Sequence, residues 1–361
     1  MANDKTQVRF GILGCAEIAR KLCRAINLSP NSTLHAISSR SIEKAKQFAI
    51  KNTLPESVKV YGSYEDVLDD PFVDAVYVPL PTSLHLKWAM LAAEKKKHVL
   101  LEKPTALNVE ELDRILDACR SNGVQFMDGS MWYHHPRTEK MKEFVSDTNL
   151  FGRVKTIYSS SSYLPPPQFF ENNIRTKADL DSFGALGDAG WYCIGAILWA
   201  MNYKLPTTVK ALPATTFNST GVIMSTTVAF HWEQEEATAT FYCSFLSHET
   251  MDVSVLGSKG SFHVEDWIIP YEESSASFNL TSAARFAELH IGWNMKEQVV
   301  QVHNELPQEA FMVREFSRLV KGIKDCEIRP DTMWGDISRK SQVVLDAVKS
   351  SVDNGFKMVY I

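Results

Sequence analysis

The sequence predicts an α/β protein in two parts: an N-terminal doubly wound parallel sheet, and a C-terminal α/β domain with an open, mainly antiparallel sheet. Three observations carry this prediction. Short apolar runs alternate with helical patterns from Val8 to Arg120. A glycine, Gly14, separates the first such run from the first helical pattern. From about residue 150, long runs alternate apolar and polar positions with few helices between them, as half-buried antiparallel strands do. The division is drawn at 1–128 and 129–361, and the last segments can pack back on the first part.

Length supports two parts, because single cores stop growing near roughly 250–300 residues and this chain has 361. A net charge of −5 recruits neither nucleic acid nor an anionic membrane surface. No apolar run reaches the roughly 18 residues of a membrane span, and the polar start, Ala2-Asn3-Asp4-Lys5, has no apolar secretory core. The six cysteines (15, 23, 119, 193, 243 and 326) are scattered without C-x-x-C spacing. They read as reduced thiols, so the expected setting is cytoplasmic.

In chain order, Val8 to Leu13 is the first strand, and Gly14-Cys15-Ala16-Glu17-Ile18-Ala19 leads into a helix. This is G-x-A-x-x-A, a variant of the dinucleotide fingerprint of the Rossmann fold. Gly14 permits the tight turn, Ala16 keeps the side chain small where a pyrophosphate approaches, and Ala19 allows close helix–strand packing. The helix N-terminus offers N–H groups to phosphate. The residues expected there are Gly14, Cys15, Ala16, Glu17 and Ile18. The second strand, Leu34 to Ser38, ends at Ser38-Ser39-Arg40-Ser41. An acid at this point would bind a ribose 2′-hydroxyl. Ser39 and Arg40 suit a 2′-phosphate instead, which favours NADP(H), with NAD(H) the alternative. The competing reading is an exposed Arg at a helix start capped by Ser39 or Ser41.

A helix over 42–50, a short strand end and capped helical turn over 61–67, a strand over 73–78, and a stiff loop with Pro79 and Pro81 follow. Then come a helix over 84–97, the apolar run Val99-Leu100-Leu101, and a helix over 109–120. Val99-Leu100-Leu101 delivers Lys103 to a strand end, where Pro104 stops the ladder. In a parallel sheet, ligands bind past the strand carboxyl ends. In the second part, strands are expected over 154–163, 221–231 and 237–245, with a hairpin pairing 251–256 with 261–265 across Gly257-Ser258-Lys259-Gly260. Helices over 308–321 and about 337–350 close the chain. A broad sheet with an apolar second face calls for a cover, and a second copy of the chain is the expected one.

Gly187-Asp188-Ala189-Gly190-Trp191-Tyr192 lies between these parts of the chain. If it starts a helix, Asp188 and Tyr192 share a face. A cation beside Tyr192 favours its phenolate, so Lys103 and Tyr192 together can move a proton at a substrate oxygen. Asp188 can hold a substrate hydroxyl or orient the Tyr. The competing reading is an N-cap Asp and a core Tyr. Trp132-Tyr133-His134-His135-Pro136 holds adjacent histidines that point apart, so no metal site is expected.

These motifs, in this order, resemble the glucose–fructose oxidoreductase / inositol dehydrogenase (Gfo/Idh/MocA) family. The resemblance runs from Phe10-Gly11-Ile12-Leu13-Gly14 through Asp74-Ala75-Val76-Tyr77-Val78, Pro81, His85 and Glu102-Lys103-Pro104 to Asp188-x-Gly190-x-Tyr192 and Gly257-Ser258-Lys259-Gly260. Tyr192, where many members carry His, is similar to the branch of dimeric dihydrodiol dehydrogenase and NADP-dependent D-xylose dehydrogenase. The resemblance implies Tyr192 as acid/base and Lys103 as its partner. It also implies Pro81, His85 and Glu102 as cofactor-lining residues, Trp132 beside the nicotinamide or substrate, and a homodimer or homotetramer formed through the C-terminal sheet. Ser182-Phe183-Gly184 stands where the family has three glycines, which places the bulk of Phe183 at the expected substrate pocket. The expected activity is NADP(H)-dependent hydride transfer at a carbinol or carbonyl carbon of an aldose, polyol or cyclic diol. The alternative is a dinucleotide-binding regulator without turnover.

Overall fold

The computed structural model describes residues 7–286 and 292–361. It comprises two compact units, Met1–His134 with Leu306–Arg339, and His135–Glu305 with Lys340–Ile361.

The first unit holds a six-stranded sheet of β1 (Val8–Leu13), β2 (Ser32–Ser38), β3 (Lys59–Tyr61), β4 (Ala75–Val78), β5 (His98–Leu101) and β6 (Phe126–Asp128). The order is β3-β2-β1-β4-β5-β6, and every pairing is parallel. The helices between the strands are α1 (Glu17–Leu28), α2 (Ile42–Lys51), α3 (Tyr64–Asp69), α4 (His85–Glu94) and α5 (Val109–Asn122). β4 and β5 are buried at every residue, as strands covered on both faces must be. Helix starts follow local chemistry: Ser41, Ser63 and Asn108 accept from Lys44, Asp66 and Glu111 backbone N–H groups at 2.9–3.3 Å. The Gln308–Cys326 helix brings Phe316 against Phe10 of β1, with rings 5.8 Å apart. Strand order reverses between β1 and β4, so the crevice of this sheet opens beyond their carboxyl ends.

The second unit carries α6 (Pro136–Ser146), β7 (Val154–Ser162), α7 (Pro167–Asn172), α8 (Trp191–Ala200), β8 (Thr208–Ala211), β9 (Thr216–Phe217), β10 (Ile223–Trp232), β11 (Ala237–Ser244), β12 (Thr250–Gly257), β13 (Gly260–Val264), β14 (Ser275–Ser282), β15 (Gln298–His303) and β16 (Val359–Tyr360). Its ten-stranded sheet runs β15-β14-β13-β12-β7-β11-β10-β8-β16, with β9 beside β10. β7 and β11 are parallel, and the remaining pairs are antiparallel. Ile157, Ala239, Phe241, Val253, Val255 and Phe262 bury one face. The other face differs from the apolar one expected. Its ladder of Thr156, Tyr158 and Ser160 beside Thr238, Thr240 and Tyr242 is hydroxyl-rich. Ser254 and His263 hydrogen-bond across it at 2.7 Å. Such a face is satisfied by water and needs no cover on hydrophobic grounds. Among the described residues, no helix is long and apolar enough to cross a membrane.

Candidate active site

In the first unit the β1–α1 turn is built as the fingerprint requires. Gly14 has φ +125°, and its N–H donates to Ser38 O at 3.0 Å. A Cβ at Gly14 would also press on Leu80 Cδ2 at 3.0 Å, but it is the backbone conformation that selects glycine. Ala16 is the N-cap of α1 and offers no side-chain acceptor to its first turn. That leaves the positive end of α1 suited to an anion. Cys15 lies with Sγ 3.5 Å from Ser38 O, and burial pushes its thiol up to about 11. Glu17 is exposed and pairs with Arg20, while Ile18 is half-buried.

At the end of β2, Ser39 is buried and Arg40 exposed. Ser41, not Ser39, caps α2. Burial raises the Tyr64 phenol above its ordinary value, and the nearby Arg40 charge opposes that rise. The Tyr64 ring meets Trp88 edge-on at 4.9 Å. Sequence reasoning missed Tyr64. Its one signal is a Tyr in the first turn of an amphipathic helix, which needs a partner for its hydroxyl.

Past β4 and β5, Pro81 opens the Thr82–Leu84 turn. His85 is 1% exposed, with Nε2 2.8 Å from Leu80 O and Nδ1 3.2 Å from Thr105 O. It therefore ties the Pro81 loop to the segment after Lys103. Glu102 accepts from the Tyr77 hydroxyl and, at 3.2 Å, from the Lys103 N–H. Tyr77 was also missed. A Tyr within the otherwise aliphatic β4 is its signal, since a fully buried phenol needs an acceptor. Lys103 is half-buried just beyond β5, and Trp132 is buried, its ring tilted 32° against Tyr133 at 3.7 Å between ring centres. His134 packs against Trp334 at 4.4 Å, whereas His135 caps α6 through Nδ1. Among the described residues, no group of three or more metal-ligating side chains comes together.

In the second unit, Phe183 is buried. Beside it, Gly184 has φ +60°, and a Cβ there would lie 2.1 Å from Ile223 O. Leu186–Gly190 forms a π-helical turn that runs directly into α8. Such turns recur at functional sites. Asp188 lies inside this turn, its N–H bonded to Gly184 O at 3.0 Å, so it is not an N-cap. Its Oδ2 accepts from the Tyr163 hydroxyl at 2.8 Å, and its Oδ1 is 2.8 Å from Arg175 Nε. Tyr192 is the one residue of α8 that is not fully buried. The turn thus places a clamped carboxylate one helical turn ahead of the half-buried Tyr192.

Two models of one family match the chain. An oxidoreductase family with an NAD-binding Rossmann fold covers residues 8–130, and the C-terminal domain of that family covers 138–263. The D-xylose 1-dehydrogenase (NADP(+)) 2 of Haloferax volcanii is 37% identical over 188 residues, which is 52% of this chain and 55% of that protein. The trans-1,2-dihydrobenzene-1,2-diol dehydrogenase of Danio rerio is 26% identical over 261 residues, 71% of this chain and 74% of that one. The chain spans about half the length of the first curated relatives it matches. A crystal structure of KijD10, a 3-ketoreductase from Actinomadura kijaniata in complex with NADP and TDP-benzene, superposes with a TM-score of 0.79 at 25% identity. That likeness covers 95% of this chain and 97% of that one. With both of its domains matched in order, on a six-stranded parallel sheet followed by a broad mixed sheet, the chain belongs to the Gfo/Idh/MocA oxidoreductase family.

Proposed function

We propose that this protein is an NADP(H)-dependent oxidoreductase that interconverts a carbinol and a carbonyl carbon on an aldose, polyol or cyclic diol. The observation that carries the reading is Tyr192, the one half-buried residue of an otherwise buried helix, one turn after a held carboxylate. The relatives that act on D-xylose, on a dihydrodiol and on a keto group support the same class of chemistry.

The residues of the first unit fit a phosphorylated dinucleotide. A Cβ would crowd the Gly14 turn, and α1 begins without a side-chain cap. Gly14, Cys15, Ala16, Glu17 and Ile18 would hold the pyrophosphate. Ser39 and Arg40 would hold the 2′-phosphate, with Tyr64 nearby. Pro81, His85 and Glu102 would shape the remaining wall. When bound, NADP(H) supplies or accepts the hydride.

The protein's own residues do the rest. Tyr192 gives or takes the proton of the substrate oxygen. Lys103 brings to the end of β5 in the first unit a positive charge of the kind that favours a phenolate. Asp188 accepts from a neighbouring substrate hydroxyl, Phe183 beside it in the second unit offers an apolar wall, and Trp132 offers another in the first unit. All six cysteines are free thiols, which supports a cytoplasmic setting. Self-association as a homodimer or homotetramer would use the hydroxyl-rich sheet face, where Tyr158 is 51% exposed. Sedimentation reads that directly.

The test is fluorescence titration with NADPH and NADH, followed by turnover of aldoses, polyols and cyclic diols. NADPH should bind the more tightly, and Arg40→Ala should weaken NADPH alone by about 10–100-fold, the worth of a lost charge-assisted hydrogen bond. A preference for NADH overturns the assignment of Arg40. Tight binding with no turnover across the panel favours a dinucleotide-binding regulator.

A further inference from the structure

We propose that Arg175 and Tyr163 are positioning residues that fix the plane of the Asp188 carboxylate and so set how it receives a substrate hydroxyl; this rests on the role given to Asp188 above. Each donor takes a different oxygen, Arg175 Nε at 2.8 Å from Oδ1 and Tyr163 OH at 2.8 Å from Oδ2. A carboxylate held at both oxygens cannot rotate without losing one bond. Because both partners donate, Asp188 is kept as an acceptor, and the group it orients must itself donate, as a hydroxyl does and a carbonyl does not.

Each donor is in turn anchored to its own part of the unit. The Tyr163 ring packs against Phe245 and Phe169 at 5.1 and 6.0 Å, and its backbone N–H binds Ser244 O at 3.0 Å. Arg175 lies on the turn Ile174–Thr176, whose N–H at Arg175 donates to Asn173 Oδ1 at 3.0 Å. Thr176 Oγ1 donates to Asn173 O at 2.9 Å, and Asn218 Nδ2 donates to Thr176 O at 2.9 Å. Three chain segments therefore converge on one carboxylate: the end of β7, this turn, and the π-helical turn before α8.

The pair is partly buried, with the Arg175 side chain 35% and the Asp188 side chain 15% exposed. Its effect falls on orientation. Burial, and then the Asp188 charge, push the Tyr163 phenol well above its ordinary value. Tyr163 is therefore a fixed donor at working pH, distinct in role from Tyr192.

The test compares Arg175→Ala, Arg175→Lys, Tyr163→Phe, Asp188→Asn and the Arg175→Ala/Asp188→Asn double variant, using the best substrate of the panel. Arg175→Ala should lower kcat/KM by about 10–100-fold, chiefly through KM, because a bond to a charged group is lost. NADPH affinity should stay unchanged, and Arg175→Lys should recover part of the loss. The double variant should be no worse than Asp188→Asn, the mark of one residue acting through another. Additive losses, or wild-type kinetics for Arg175→Ala, overturn the proposal. A second arm is independent of turnover: 3-fluorotyrosine at position 163, read by 19F NMR. Asp188→Asn and Arg175→Lys should each shift that resonance, and adding Arg175→Lys to Asp188→Asn should shift it no further. If the wild-type enzyme turns over nothing, the functional reading fails while the fluorine arm still decides the clamp. An unmoved resonance in Asp188→Asn overturns it.

Discussion

In the first sheet, β4 and β5 are buried along their whole length, and both faces are covered by helices. In the second, β7, β11, β12 and β13 alternate buried and accessible residues, and one face is left as a hydroxyl ladder. A sheet covered on both faces leaves only its strand ends for ligands, so the candidate residues of the first unit, from Gly14 and Arg40 to Lys103, all follow strands. A sheet with one open face has no such constraint. Its candidate residues, Asp188 and Tyr192, sit off the sheet, on the helical segment that packs its inner side.

Four experiments sharpen or break this contrast. The largest effect is expected at a strand end. Lys103→Met should cut turnover by about 10²–10⁴-fold, the usual worth of an acid–base group, with little change in melting temperature. Retained turnover would remove Lys103 from the chemistry. Three residues upstream, Leu100 is fully buried. Leu100→Ala should cost about 2–5 kcal/mol in urea unfolding. On the open face of the other sheet, Thr240→Ala should stay within about 0.5 kcal/mol, and a larger loss that depends on protein concentration would reveal a subunit contact there.

The smallest effect is electrostatic. Burial opposes ionisation of Asp74, but hydrogen bonds from Arg9 and Lys324, at 2.9 and 2.6 Å, outweigh it and hold the carboxyl at about 2. A folded value below the unfolded one, about 3.9, means stability that is present above the unfolded value and lost as pH falls toward the folded one. Asp74→Asn should flatten the acid limb of unfolding free energy between about pH 4 and 2. An unchanged slope would show that the pair contributes nothing.

The parallel sheet was legible because its signals are local. A glycine turn, apolar runs and capped helix starts place β1, β2, β4 and β5 within two residues of the expected bounds. β14 and β15 were not assigned. β15 is an edge strand whose residues are mostly exposed, whereas β14 carries the alternation of a half-buried strand, Ala276, Phe278 and Leu280 between polar residues, and could have been found. The motif residues Asp188 and Tyr192 were legible, but the partners of Asp188 were not. Tyr163 and Arg175 stand 25 and 13 residues away, and only the fold of the second unit unites them. The π-helical turn was equally hidden, since the same residues suit an ordinary helix start. The supposed apolar outer face failed for a different reason: Thr238 and Thr240, opposite the apolar stripe of β11, already mark that side as polar.

Gly184 bears on how this family of sequences can drift. The backbone of β10 comes so close that no side chain fits there, so position 184 is closed to mutation. Its neighbours are open. Ser182 keeps a left-handed conformation, φ +64°, with a residue that is not glycine, at a cost of roughly 1–2 kcal/mol. Phe183 fills space that a glycine would leave vacant. A lineage can therefore change the side chains of this loop at 182 and 183, while 184 holds the chain path fixed. For an engineer, Ser182→Gly is the place to recover stability.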